Sequence, residues 1–139
     1  MTYEEKKEWL RRYRKAARLK KIKLEQVEKY RTDAEHVTQV LSPASGSNGD
    51  GQALPRAVVR IADAMQSANL QVMECQRICE EILRVMSQTV DIQDYEILYL
   101  RYVGGKKWEQ IAASVGMEVS SVYRRHKRAV KALDIPERQ

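Results

Sequence analysis

The sequence predicts an all-α protein, with long N-terminal helices that carry a coiled-coil-like seam and a short helical segment at the C-terminus. Three observations lead there. The 139 residues include only 6 Gly, 3 Pro and no Phe, while 32% are charged. Strands need more turn residues and more β-branched and aromatic side chains than this. Apolar residues between 58 and 86 recur at spacings of three and four without a break, the period of a helix face. The pattern then changes abruptly at Asp91. No apolar run approaches the ~18–20 residues that cross a bilayer. The charged start MTYEEKKEWLRR shows no secretory signal, so the chain reads as cytosolic, with no membrane partner.

The first stretch, residues 1–41, is a basic helical segment with 12 basic and 7 acidic side chains. Leu10, Tyr13, Ala17, Leu24, Val27, Ala34 and Leu41 share one register, which Lys20, Arg31 and Thr38 interrupt. Residues 3–41 read either as one helix or as two that break near Lys20–Lys23. Arg12, Arg14, Lys15, Arg18, Lys20, Lys21 and Lys23 read first as a solvated helix exterior, and second as a supplementary phosphate contact. Residues 42–55, SPASGSNGDGQALP, read as a flexible Gly/Ser/Pro linker.

Residues 56–90 form the seam helix. Val58, Ile61, Met65, Ala68, Val72, Cys75, Cys79, Ile82 and Met86 make the stripe, and Ala57, Ala64, Ile78 and Val85 widen it. Such a stripe needs a partner, within the chain or in a second copy; a homo-oligomer is the expectation. Cys75 and Cys79 lie on one helix face with no further Cys or nearby His to complete a metal set. They read as core residues. No cofactor is expected.

Residues 91–135 carry the functional signal. Asp91 or Asp94 can cap a helix bearing Ile97, Leu98, Leu100 and Tyr102, which Gly104 and Gly105 end. Trp108 to Val115 forms a second helix burying Ile111, Ala112 and Val115. Gly116 takes a turn that demands positive φ, and a third helix runs from about Val119 to Leu133. The small residue, the glycine corner and the flanking aliphatics Met117 and Val122 suit two helices that meet at a steep angle. They leave one side of the third helix free to enter a major groove. Residues 118–133 place Arg124, Arg125, Lys127, Arg128 and Lys131 against a lone Glu118, a charge pattern that fits double-stranded DNA.

Leu100-Arg101-Tyr102, Trp108-Glu109-Gln110-Ile111-Ala112, Gly116, Ser120-Ser121-Val122 and Arg128-Ala129 resemble sigma factor region four. That helix-turn-helix reads promoter −35 elements. The string Val122-Tyr123-Arg124-Arg125-His126, with the helical N-terminal half and the linker, is similar to ArpU-type phage late transcriptional regulators. The resemblance implies a prophage-encoded, promoter-binding regulator of late genes, acting in the bacterial host cytoplasm, with RNA polymerase as a possible second partner. Three departures stand out. A sigma region two is lacking, Arg125 and His126 replace packing aliphatics, and Glu118 replaces the usual Ser or Thr cap.

In this docking Val119, Ser120, Ser121, Tyr123 and Arg124 face base edges. Arg124 is the main reader, because a bidentate Arg–guanine pair is the commonest specific contact. Arg125 joins the basic face, and Lys127, Arg128 and Lys131 hold phosphates. Lys106, Lys107 and the amides opening the second helix meet phosphate as well. Arg128 has an alternative, a salt bridge to Glu96 or Glu109. His126 reads as packed or solvent-facing, and Trp108 as core. The competing reading is a small-terminase-like DNA-packaging ring. No constellation for catalysis is recognisable, so the chain is not expected to be an enzyme.

Overall fold

The computed structural model describes residues 1–40 and 51–137, and among them there are helices and no strands. In chain order the helices are α1 (Tyr3–Leu10), α2 (Arg12–Val40), α3 (Ala53–Met86), α4 (Ile92–Tyr102), α5 (Trp108–Val115) and α6 (Val119–Ala132). The all-α expectation holds. Leu41 and residues 42–50 of the expected linker lie outside the described residues. Its last three residues, Ala53–Pro55, form the first turn of α3, where proline is tolerated because the missing N–H would be unpaired anyway.

The N-terminal segment is neither one uninterrupted helix nor broken near Lys20–Lys23. It breaks at Arg11. Thr2 starts α1 with a capping box, its hydroxyl accepting from the Glu5 N–H while Glu5 accepts from the Thr2 N–H. The run of lysines reads on as helix because Lys, Leu and Ala are all strong helix formers.

The described chain forms two units. One contains residues 17–74, where α2 and α3 lie side by side. Lys23 Nζ donates to Ser67 Oγ at 2.7 Å, and Tyr30, Asp33 and Val37 line a recess with Ala53, Ala57 and Arg60. The seam of α3 thus finds a partner in its own chain. The stripe is only partly covered: Ala57 and Ala68 are buried, whereas Val58, Met65 and Val72 are exposed. The covered line is shifted toward the expected flank, because one neighbouring helix shields only part of a wide apolar face.

The other unit joins residues 1–16 to those from Cys75 onward. Leu10 of α1, Ile82 and Met86 of α3, Ile97 and Leu98 of α4, Ile111 of α5 and Val122 and Val130 of α6 are wholly buried in it. Ile97, Ile111, Ala112 and Val122 form the centre of the helix-turn-helix, with Leu100, Trp108, Val115, Met117 and Val119 packed around them. Asp91 is the cap of α4, accepting from the Asp94 N–H at 2.9 Å. Gly116 ends α5 at φ +69°, and the following Met117 N–H closes onto the Ala112 carbonyl at 3.1 Å. After α6 the chain is pinned by a reciprocal pair, Gln88 Nε2 to the Asp134 carbonyl and Asp134 N–H to Gln88 Oε1, both at 2.8 Å.

Two substitutions separate backbone strain from packing. A Cβ at Gly116 would meet nothing within 4 Å, so Gly116→Ala carries only the left-handed penalty, about 1–2 kcal/mol. Ile111→Ala empties the centre of the core and should lose about 2–5 kcal/mol. Urea unfolding followed by circular dichroism checks the order, and equal losses would contradict it.

Candidate nucleic-acid interface

α6 places residues 122, 126, 129 and 130 on one side by helical spacing, and Val122, His126, Ala129 and Val130 are all buried. The opposite side bears Ser120, Tyr123, Arg124, Lys127 and Lys131, all exposed. Glu118 stands at the N-cap without a side-chain capping bond, so the first amides of α6 lack the oxygen that Ser or Thr would supply.

His126 sits at the meeting point of four helices. It is 2% exposed, stacked on Tyr102 of α4 at 5.6 Å between ring centroids and edge-on to Trp108 of α5 at 4.7 Å. Tyr102 is itself buried, and its phenol proton has no other acceptor among the described residues. Assigned from these partners, Tyr102 Oη–H donates to His126 Nε2 at 2.6 Å, and His126 Nδ1–H donates to Tyr3 Oη of α1 at 3.4 Å. This is a neutral imidazole, one nitrogen accepting and one donating. Burial, with Lys7, Arg101 and Arg11 adding repulsion, lowers its pKa from 6.5 to about 4. Burial likewise raises the pKa of Tyr102, which keeps the phenol a donor.

α1 is therefore part of the interface's support. Lys6 Nζ donates to the Lys131 carbonyl at 2.7 Å near the C-terminus of α6, a favourable place for a cation. Lys7 and Lys127 both approach the Tyr3 ring, at 4.5 and 5.6 Å from its centroid. Nothing in the local sequence pairs residue 3 with residue 126. The one available signal was that Thr2-x-x-Glu5 announces a separate short helix.

The ten expected contact residues fall into three groups. Ser120, Tyr123, Arg124, Lys127 and Lys131 are exposed on α6, and Lys107 is exposed at the start of α5. Arg124 Nη2 donates to Ser121 Oγ at 3.3 Å, and Tyr123 packs on Trp108 at 4.7 Å. Val119 and Ser121 are half-buried, with Val119 against the core. Arg125 and Arg128 are engaged with α4: Arg125 Nη1 reaches Asp94 Oδ1 at 3.1 Å and Asp91 Oδ1 at 3.4 Å, and Arg128 Nη2 reaches Asp94 Oδ2 at 3.3 Å. The salt-bridge alternative for Arg128 is thus met by Asp94, not by Glu96 or Glu109. Arg128 nevertheless keeps a side chain that is 69% exposed. The buried Asp94 carboxylate needs such cations to offset its desolvation. Met117, Glu118, Ser121, Arg124, Arg125 and Arg128 line an open recess of about 590 Å³ beside the start of α6.

Trp108 is half-buried. It links elements, with the Arg101 guanidinium of α4 4.3 Å from its ring centroid and the Tyr123 ring of α6 4.7 Å from it. Gln110 accepts from the Lys107 N–H at 3.0 Å, which fixes the entry into α5. Neither cysteine is in a disulfide; Cys75 is buried and Cys79 partly so. No group of residues able to hold a metal occurs among the described residues.

The family Sigma-70, region 4 matches residues 81–133. The matched stretch begins at Glu81, within α3, and so takes in Ile82, Val85 and Met86 at the end of the seam. Neither the curated proteins nor the solved structures give a match to the chain. Residues 81–133 are thus a sigma region four-like helix-turn-helix, a DNA-binding type of domain.

The neutral histidine has a measurable consequence. The unfolded chain takes up its proton near pH 6.5 and the fold only near pH 4. Its contribution to stability is therefore complete above pH 6.5 and is lost as pH falls between those values, by at most ~3 kcal/mol. His126→Gln cannot titrate, so its urea-unfolding free energy should fall less between pH 7 and pH 4.5 than that of the unsubstituted chain. Parallel pH profiles for the two proteins would contradict a buried neutral imidazole.

Proposed function

We propose that the chain is a sequence-specific, double-stranded DNA-binding transcriptional regulator that inserts α6 into the major groove. The observation that carries this reading is the division of α6 into a buried side, Val122, His126, Ala129 and Val130, and an exposed side holding Ser120, Tyr123, Arg124 and Lys127. Arg124 reads a base edge, and its contact with Ser121 Oγ orients the guanidinium before binding. Ser120 and Tyr123 flank it. Lys127, Lys131 and the exposed part of Arg128 hold phosphates, while Lys106 and Lys107 meet the backbone at the start of α5.

The resemblance to ArpU-type regulators supports a finer reading. The chain would be phage- or prophage-encoded, act on late-gene promoters in the bacterial host cytoplasm, and have RNA polymerase as a second partner. The partly exposed stripe Val58, Met65 and Val72 supports self-association. No described helix is long and apolar enough to cross a membrane. The reading assigns the chain no catalytic step and no cofactor.

Duplexes selected from a phage-genomic DNA pool, with scrambled duplexes as reference, test the assignment by fluorescence anisotropy. Arg124→Ala should weaken the selected duplex by about 1–3 kcal/mol more than the scrambled one. Lys127→Ala should weaken both alike and lower the slope of log affinity against log salt by about one. Equal losses on both duplexes for Arg124→Ala would remove it as a reader. A large ring by light scattering would favour a packaging role instead.

A further inference from the structure

The connection between α4 and α5 contains Gly105 at φ +65°, and the space where a side chain would sit is filled by a cation from another helix. A Cβ at Gly105 would lie 2.5 Å from Arg14 Cζ, 2.6 Å from Nε and 2.7 Å from Nη2. The glycine meets two demands, a left-handed backbone and the close approach of the α2 guanidinium. Arg14 has neither a carboxylate nor a hydrogen-bond partner among the described residues. Next to Gly105, Lys106 and Lys107 are both exposed, and Arg101 Nη1 donates to the Lys106 carbonyl at 3.0 Å.

Arg101 ties this connection toward α6. Arg101 lies over Trp108, and Trp108 packs on Tyr123, so a chain of contacts leads from the α4–α5 connection, where the half-buried Arg14 sits against Gly105, to α6. Glu109 is the acidic residue in the first turn of α5. Arg14, Arg101, Lys106 and Lys107 outnumber it, and like charges gathered this way repel one another until a polyanion neutralises them.

We propose that Arg14 is a phosphate-binding residue for the duplex, admitted to the flank of the helix-turn-helix by the missing side chain of Gly105, so that the DNA interface extends onto the N-terminal half of the chain. The proposal rests on α6 being the groove-binding helix and adds a contact outside the matched family region.

The test uses the full chain, with affinities for selected and scrambled duplexes measured between 50 and 200 mM salt. Arg14→Ala should lower the salt slope by about one on both duplexes, so that affinity drops about three- to fourfold less across that range. Arg14→Lys, which keeps the charge, should retain the slope, and both variants should melt near the unsubstituted temperature. An unchanged slope in Arg14→Ala, alongside a lowered slope in Lys127→Ala, would overturn the Arg14 contact while leaving α6 as the binding helix. A loss in Arg14→Lys equal to that in Arg14→Ala, with a lowered melting temperature, would mark Arg14 as structural and also overturn it. Failure of the unsubstituted chain to bind either duplex would overturn the α6 reading and this contact together.

Discussion

The seating of α6 is the constraint on which the remaining structure depends. A helix with so many cations can present them outward only if its other side is fixed, and His126 stands in the middle of that side. An aliphatic residue there would pack, but an imidazole also answers to Tyr102 and Tyr3 by hydrogen bonding. It therefore specifies which residues of α4 and α1 it meets. The imidazole must stay neutral for this, since an imidazolium among Lys7, Arg11 and Arg101 would be both desolvated and repelled. Buried polar groups that are fully paired in this way rigidify a core, and rigidity in α6 is what base readout needs.

The cations of this protein stand in two different settings. The net charge of +6 gives no sign of which cations face a partner. Arg12 is paired with Glu81 at 3.1 Å, Arg125 and Arg128 with Asp94, and Lys6 with a carbonyl at the end of α6. These tie helices together. Arg124, Lys127, Lys106, Lys107 and Arg14 form no ion pair among the described residues, and all but the half-buried Arg14 are exposed. One acidic residue, Asp94, at 6% exposure, decides much of that division by drawing two arginines of the basic run back toward α4.

What could be read from the sequence was what local rules control. The bounds of α5, the glycine corner at Gly116 and the start of α6 follow from turn chemistry and helical spacing within a few residues, and they agree with the structure. The break at Arg11 was not legible, because Arg11 keeps helical backbone angles, φ −70° and ψ −10°, and carries no breaker residue. The seam on α3 was legible as a stripe, but which part is covered depends on the neighbouring helix, so Val58, Met65 and Val72 emerged exposed. The roles of Tyr3, Asp94 and Arg14 rest on contacts between residues far apart in the chain. No periodicity or short motif encodes those contacts.

The central claim is that the outward side of α6 meets duplex DNA. Backbone amide chemical shifts of the full chain, titrated with a selected duplex, test it most directly. Shifts concentrated at Ser120, Tyr123, Arg124 and Lys127, with the entry to α5 following, are the result this account predicts. A duplex that saturates the protein while those amides stay unmoved would contradict it.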